Sequence, residues 1–243
     1  MSTKSRSLLI LVVIVLVALA VWKFMPSSST TTQAEAGKIA VMEGATLDGI
    51  VADNKEKEKY LIVDVRSEEE YAEGHLRHAI NIPLAGFSAD DPNFKEWKDK
   101  SVVLVCNSGK KSGEAAKILV DAGFSQVYNA AGVKEYAYTT MTKVASLRFD
   151  QAVEAMNGTQ PIIIDARDAK DYEAGHLPGA INASADTIDQ FIGQLSTDAP
   201  VFTYCYSGNR SYAVAEKMSQ AGFKTFNILD GTKEVSYDAL MQK

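Results

Sequence analysis

Cysteine is scarce: the 243 residues contain only Cys106 and Cys205. Two thiols cannot make a disulfide framework, and their separation matches no zinc-binding spacing. Each sits in the same local sequence context, and chain position alone cannot bring them into disulfide range, so a bridge between them is the weaker reading. A long basic run is also missing. With a formal net charge of −6, the chain lacks the electrostatic footprint of a nucleic-acid binder, and its mild acidity bears only on solubility. Nothing calls for a metal or another cofactor: His75 and His176 follow glycines in turns, where they cap local backbone groups, and no second strong ligand stands at a suitable spacing. The remaining composition, 46% apolar and 23% charged, is that of a folded globular protein, with room for one large domain or two of about 100 residues.

Long apolar runs are likewise rare, and the one that occurs is at the N-terminus. Leu8 to Trp22 is an unbroken stretch of 15 apolar residues preceded by Lys4 and Arg6. It has no polar face, which argues against a buried core element. Fifteen residues suit a signal-peptide core, whereas a spanning helix wants about 20; extension to Met25, with Lys23 reaching the head groups, gives a thin but acceptable span. Length and flanks favour an uncleaved anchor; a cleaved export signal is the alternative. In both cases Lys4 and Arg6 stay cytoplasmic and the remainder crosses the membrane. The following Pro26-Ser-Ser-Ser-Thr-Thr-Thr32 cannot contribute to a packed core and reads as a flexible tether.

Beyond the tether the sequence repeats itself. Leu61-Ile-Val-Asp-Val-Arg66 matches Ile162-Ile-Ile-Asp-Ala-Arg167, Tyr71-Ala-Glu-Gly-His75 matches Tyr172-Glu-Ala-Gly-His176, and Ala79-Ile-Asn81 matches Ala180-Ile-Asn182, all 101 positions apart. Cys106-x-Ser-Gly109, Ser112, Gly123-Phe124 and Gly132 recur 99 positions later. A constant offset over so many separated positions means a duplicated domain, joined near Thr140 to Val144, and the period is far too long for a solenoid. Within a copy, Leu61–Val65, Val102–Cys106 and Val127–Asn129 read as short buried strands, and Gly113–Ala122 as a helix stopped by Gly123. The second copy offers Pro161–Asp165, Val201–Cys205 and Ser211–Ala221. Strands alternating with helices imply a parallel sheet covered on both faces.

The chemistry lies where strand meets helix. Cys106-Asn-Ser-Gly-Lys-Lys-Ser112 and Cys205-Tyr-Ser-Gly-Asn-Arg-Ser211 each follow an apolar strand and lead into a helix. The loop N–H groups and the helix N-terminus then face the sulfur, which favours thiolate and any negative charge the sulfur carries. Gly109 and Gly208 allow the tight curl. Ser108 and Ser207 with Asn209 complete the loops, and Lys110 and Lys111, or Arg210, suit the pocket to a small anion. A buried structural cysteine is the commoner fate of a lone thiol; the repeated arrangement favours a reactive one. Asp64-x-Arg66 and Asp165-x-Arg167 read as structural ion pairs or hydrogen-bonded turns.

Taken together, Asp-x-Arg, Glu-Tyr-x-x-Gly-His, Gly-Ala-Ile-Asn, Cys-x-x-Gly-x-Arg-Ser and Gly-Phe resemble the rhodanese sulfurtransferases over about residues 38–243. The second copy fits closely across Asp165, Arg167, Tyr172, Gly175, His176–Asn182 and Cys205–Ser211. The first departs at Arg77-His78, where the family usually has Pro-Gly, and at Lys111, where it usually has Arg. The resemblance implies an α/β protein of two tandem rhodanese-like domains, each a parallel five-stranded sheet flanked by helices. The boundaries are 1–25 for the anchor or signal, 26–37 for the linker, 38–141 for the first domain and 142–243 for the second. It also implies Cys205 and Cys106 as nucleophiles that take sulfane sulfur from a small anionic donor such as thiosulfate and pass it to a thiol or cyanide. Arg210 or Lys111 would hold the donor's sulfonate. Arg210 is the stronger candidate, because a guanidinium grips an oxyanion in bidentate fashion and an ammonium is a point charge. With the N-terminal segment this places the protein at the bacterial cytoplasmic membrane, folded part outside. Three alternatives stay open: a persulfide carrier, an oxidation sensor, and a phosphatase. The phosphatase is disfavoured because such loops put five residues between cysteine and arginine, where Cys205 and Arg210 have four.

Overall fold

The computed structural model describes residues 37–233 and 235–237. The N-terminal apolar run and most of the tether lie outside the described residues; among these, no helix is long and apolar enough to cross a membrane.

The first copy opens with strand β1 (Ile39–Met42) and helix α1 (Gly44–Ala52), then β2 (Tyr60–Asp64), α2 (Glu68–Glu73) and the two-residue strands β3 (His75–Leu76) and β4 (Ile80–Asn81). It continues with β5 (Ser101–Val105), α3 (Lys110–Asp121) and β6 (Gln126–Ala130). β7 (Met141–Thr142) pairs antiparallel with β3 and leads into the second copy. There β8 (Ala145–Leu147), α4 (Phe149–Met156), β9 (Ile162–Asp165), α5 (Ala169–Ala174), β10 (Ile181–Asn182), α6 (Asp189–Ile192), β11 (Val201–Tyr204), α7 (Asn209–Gln220) and β12 (Thr225–Ile228) follow. Two five-stranded, wholly parallel sheets result, ordered β1-β6-β5-β2-β4 and β8-β12-β11-β9-β10. The expected α/β class and sheet architecture are therefore found in both copies.

The central strands are mainly apolar because both faces are covered. Alternate residues face opposite sides: Leu61, Val63, Val102 and Leu104 pack with Ala115, Ala116 and Leu119 of α3, while Ile62, Val103 and Val105 pack with Leu47, Ile50 and Val51 of α1. In the second copy Ile164 and Val201 meet Val214 and Met218 of α7, and Phe202 and Tyr204 meet Phe149 and Ala152 of α4.

The helices after the cysteines start earlier than their apolar pattern suggests, at Lys110 instead of Gly113 and at Asn209 instead of Ser211. The reason is the glycine before each. Gly109 and Gly208 both take φ 74, and this left-handed residue already turns the chain into the helix axis. At the other end Gly123 (φ 86) and Gly222 (φ 93) close both helices in Schellman fashion. Phe124 N–H bonds Leu119 O at 3.0 Å, and Phe223 N–H bonds Met218 O at 3.1 Å.

Candidate active site

Cys106 and Cys205 are each the first residue beyond a central strand, at the carboxyl edge of the sheet where open α/β folds place their ligand sites. Both are buried, free thiols. The Cys106 sulfur accepts from Ser112 N–H at 3.4 Å and faces Ser112 Oγ at 3.2 Å. Burial pushes this thiol up, but the Ser112 hydroxyl and the N–H groups of Ser112, Ser108 and Gly109 together outweigh it and leave Cys106 below the ordinary thiol range. Around Cys205, Ser211 Oγ lies 3.4 Å from the sulfur.

Two residues that the repeat did not bring out lock these loops. Asn129 of β6 receives Ser112 Oγ at 2.7 Å and donates Nδ2 to Gly109 O at 3.0 Å. Asn227 of β12 does the same with Ser211 Oγ (2.7 Å) and Gly208 O (3.1 Å). Each asparagine thereby ties the loop glycine to the serine beneath the sulfur. They stand opposite Leu104 and Thr203 in their sheets. Their separation is 98 positions, while the flanking glycines recur at 99, so a comparison at constant offset does not align them.

The segment after the last strand holds the loops from outside. Val133 N–H and Lys134 N–H bond the carbonyls of Cys106 (2.9 Å) and Asn107 (3.0 Å), and Thr232 N–H and Lys233 N–H bond those of Cys205 (3.0 Å) and Tyr206 (3.2 Å). This close approach requires Gly132 and Gly231, because a Cβ on either would overlap the backbone of Asn107 or Tyr206.

The residue after each cysteine bonds a carboxylate from the helix after the second strand of its copy. Asn107 Nδ2 donates to Glu70 Oε1 at 2.6 Å, and Tyr206 hydroxyl donates to Asp171. The Asn107 amide is also the chief cause of Glu70 lying below the usual carboxylate range, with Lys111 adding to it. Lys110 and Lys111 occupy the first turn of α3. Arg210 reaches outward: its Nη1 meets Asp168 Oδ1 at 2.7 Å and its guanidinium lies 5.2 Å from the Tyr206 ring centre. Ser207 and Asn209 are bonded by residues of the first copy, Lys57 Nζ to Ser207 O at 2.7 Å and Asn209 Nδ2 to Asn54 O at 3.1 Å.

The Asp-x-Arg pairs close on themselves and on the Gly-His turns. Arg66 binds Asp64 through Nε and Nη2 (3.0 and 2.7 Å) and Gly74 O at 2.7 Å. Arg167 repeats this with Asp165 and Gly175 O. All four are buried, and each pair fastens the strand end to the Gly-His turn. His75 takes the local contact expected of it, Nδ1 to Tyr71 O at 2.8 Å, and its Nε2 also meets Val144 O at 2.9 Å at the start of the second copy.

Residues 49–136 and 149–235 each match the family described as Rhodanese-like domain. The Thiosulfate sulfurtransferase PspE of Escherichia coli (strain K12) is 39% identical over 75 residues, which are 31% of this chain and 72% of that protein. Among solved structures, a rhodanese-like domain protein from Staphylococcus aureus aligns at 23% identity over 40% of this chain and 97% of its own, with a TM-score of 0.37. A rhodanese with anions from E. coli aligns at 35% identity over 35% and 98%, with a TM-score of 0.31. The thiosulfate sulfurtransferase from Pseudomonas aeruginosa aligns at 17% identity over 80% of this chain and 41% of its own, with a TM-score of 0.35.

Proposed function

Because the chain belongs to the rhodanese-like family, carrying two copies of a sulfurtransferase-type domain, we propose that it moves sulfane sulfur from an anionic donor such as thiosulfate to a thiophilic acceptor through a cysteine persulfide. The thiolate of Cys205 or Cys106 attacks the outer sulfur of thiosulfate. A new S–S bond forms to the cysteine, the S–SO3 bond breaks, and sulfite leaves with the electron pair. Cyanide or a thiolate then attacks the outer sulfur of the persulfide, carries it off, and returns the cysteine thiolate. No cofactor enters this sequence.

The observation that supports this reading best is the set of donors converging on one sulfur. Three N–H groups and a hydroxyl surround Cys106, and such fixed donors stabilise a persulfide anion as they do a thiolate. The loop serines Ser108 and Ser207 and glycines Gly109 and Gly208 form the cradle. Arg210, and Lys110 with Lys111 in the first copy, would face the donor's sulfonate. Arg210 is paired with Asp168, but the two side chains are 55% and 65% exposed, and surface pairs are worth at most about 1 kcal/mol. An incoming sulfonate can replace that carboxylate. Cations in the first helical turn oppose the helix dipole, which makes a resident or arriving anion the natural complement.

Incubation with thiosulfate followed by peptide mass analysis tests the reading: a one-sulfur adduct on the Cys205 or Cys106 peptide is expected, and Cys205→Ser is expected to remove most transfer to cyanide. Absence of any adduct, or an unchanged rate in that variant, refutes the assignment. The apolar run Leu8–Trp22 behind Lys4 and Arg6 supports anchorage in the bacterial cytoplasmic membrane with both copies outside. Protease digestion of intact spheroplasts should then destroy them, and protection would count against that topology.

A further inference from the structure

The cysteine loop of the second copy is gripped by the first. Lys57 belongs to the segment between α1 and β2 and is only 6% exposed, and its Nζ donates to Ser207 O at 2.7 Å. Beside it, Asn209 Nδ2 contacts Asn54 O at 3.1 Å, Glu58 Oε1 at 3.0 Å and Ser207 Oγ at 3.2 Å. Residues 54–58 thus seat on residues 207–209, two to four positions after the nucleophile.

The carbonyl that Lys57 holds has a partner group. In a trans peptide the C=O and the following N–H point in opposite directions, and the chain has no cis bond among its described residues. Drawing Ser207 O outward to Lys57 therefore turns Gly208 N–H the other way. The corresponding group of the first copy, Gly109 N–H, is one of the donors to Cys106, and Gly109 and Gly208 share φ 74. An ammonium on the carbonyl also polarises the peptide and strengthens its N–H as a donor.

Resting on the reading of Cys205 as a sulfur-accepting nucleophile, we propose that Lys57 is a positioning residue for it. From the first copy it fixes the Ser207–Gly208 peptide so that Gly208 N–H faces the Cys205 sulfur, and the second site is complete only with the first copy docked. The test uses the full chain with both cysteines present, alkylated with iodoacetamide at fixed pH and read separately at each cysteine by peptide mass. Lys57→Met is expected to slow Cys205 about tenfold relative to Cys106 in the same molecule, the scale of one hydrogen bond to a charged group. Lys57→Arg, which keeps the charge, should restore most of the rate. A ratio within about threefold of the parent, or a faster Cys205, overturns the proposal, since threefold lies below that scale. Should Lys57→Met unfold the chain, seen as acceleration at both cysteines, Lys57→Gln takes its place with the same expected ratio. Thiosulfate loading of the parent is measured alongside. If neither cysteine takes sulfur, the transfer reading fails, yet the alkylation ratio still decides the role of Lys57.

Discussion

Ser112 shows how a single side chain sets the character of the first site. Its hydroxyl and amide both face Cys106, and Asn129 holds the hydroxyl in place at 2.7 Å. Burial works against the thiolate here, so the sulfur's lowered position depends on these donors and on the amides of Ser108 and Gly109. Deleting the hydroxyl leaves the burial and removes a large opposing contribution. In Ser112→Ala the midpoint of the pH profile for Cys106 alkylation should therefore rise toward that of an ordinary thiol. At neutral pH the rate should fall by roughly tenfold, because a hydrogen bond to a charged group is worth about 1.5–3 kcal/mol. The peptide bearing Cys205 supplies the internal reference; an unmoved Cys106 midpoint would mean that the amides alone set its reactivity.

Among the elements, the strand–loop–helix unit carries the site, and its loop is shaped by what presses on it. Gly231 lets the segment after β12 run against the Tyr206–Ser207 backbone, where a Cβ would overlap main-chain atoms that have no room to retreat. Gly231→Ala should abolish sulfur loading at Cys205 while Cys106 still loads, and it should lower stability by about 3 kcal/mol, the upper range for overpacking, measurable by denaturant unfolding. Loading at Cys205 equal to the parent's would show that the loop yields. These elements differ in how far the sequence discloses them. β2 and β5 are readable because strands covered on both faces are near-continuous apolar runs, and β6 shows itself only through Val127 and Tyr128. The two-residue strands β4 and β10 are too short to carry a period. β1 alternates exposed Ile39 and Val41 with buried Ala40 and Met42, yet four residues at the margin of the copy give that alternation little force. The cysteine loops were legible from strand, glycine and cation together. Their locks Asn129 and Asn227 were not, because a one-residue slip in the repeat hides their equivalence. Lys57 was not, because it stands outside the repeated motifs and meets the loop only through the tertiary fold.

At the scale of the whole molecule, the two copies meet through residues in which the first departs from the family pattern. His78 stands where the second copy has Gly179, and it takes the same left-handed backbone, φ 67 against 74. A histidine tolerates that conformation with strain, and its ring is used across the junction: it meets Tyr212 of α7 edge-on with centroids 5.1 Å apart, while Arg77 lies 5.3 Å from the same tyrosine ring centre. Burial first, then the positive charges of Lys57 and Arg77, push His78 down to about 2. His75, which bridges Tyr71 O and Val144 O, is also lowered by its burial. His78 therefore stays neutral in the folded state through mildly acidic pH, and His75 resists protonation there more than an ordinary imidazole does, whereas in the unfolded chain both take up protons below about 6.5. The unfolded state then binds more protons as pH falls, so stability is lost in that direction. His78 alone should contribute a loss of up to about 1.4 kcal/mol per pH unit well below its unfolded value. Asparagine accepts positive φ more readily and carries no titrating group. His78→Asn should flatten the dependence of unfolding free energy on pH between 6.5 and 5, leaving the smaller slope from His75, when denaturant midpoints are compared across that range. If parent and variant keep the same slope, His78 is not buried as a neutral group at the junction, and the two copies are not joined through it.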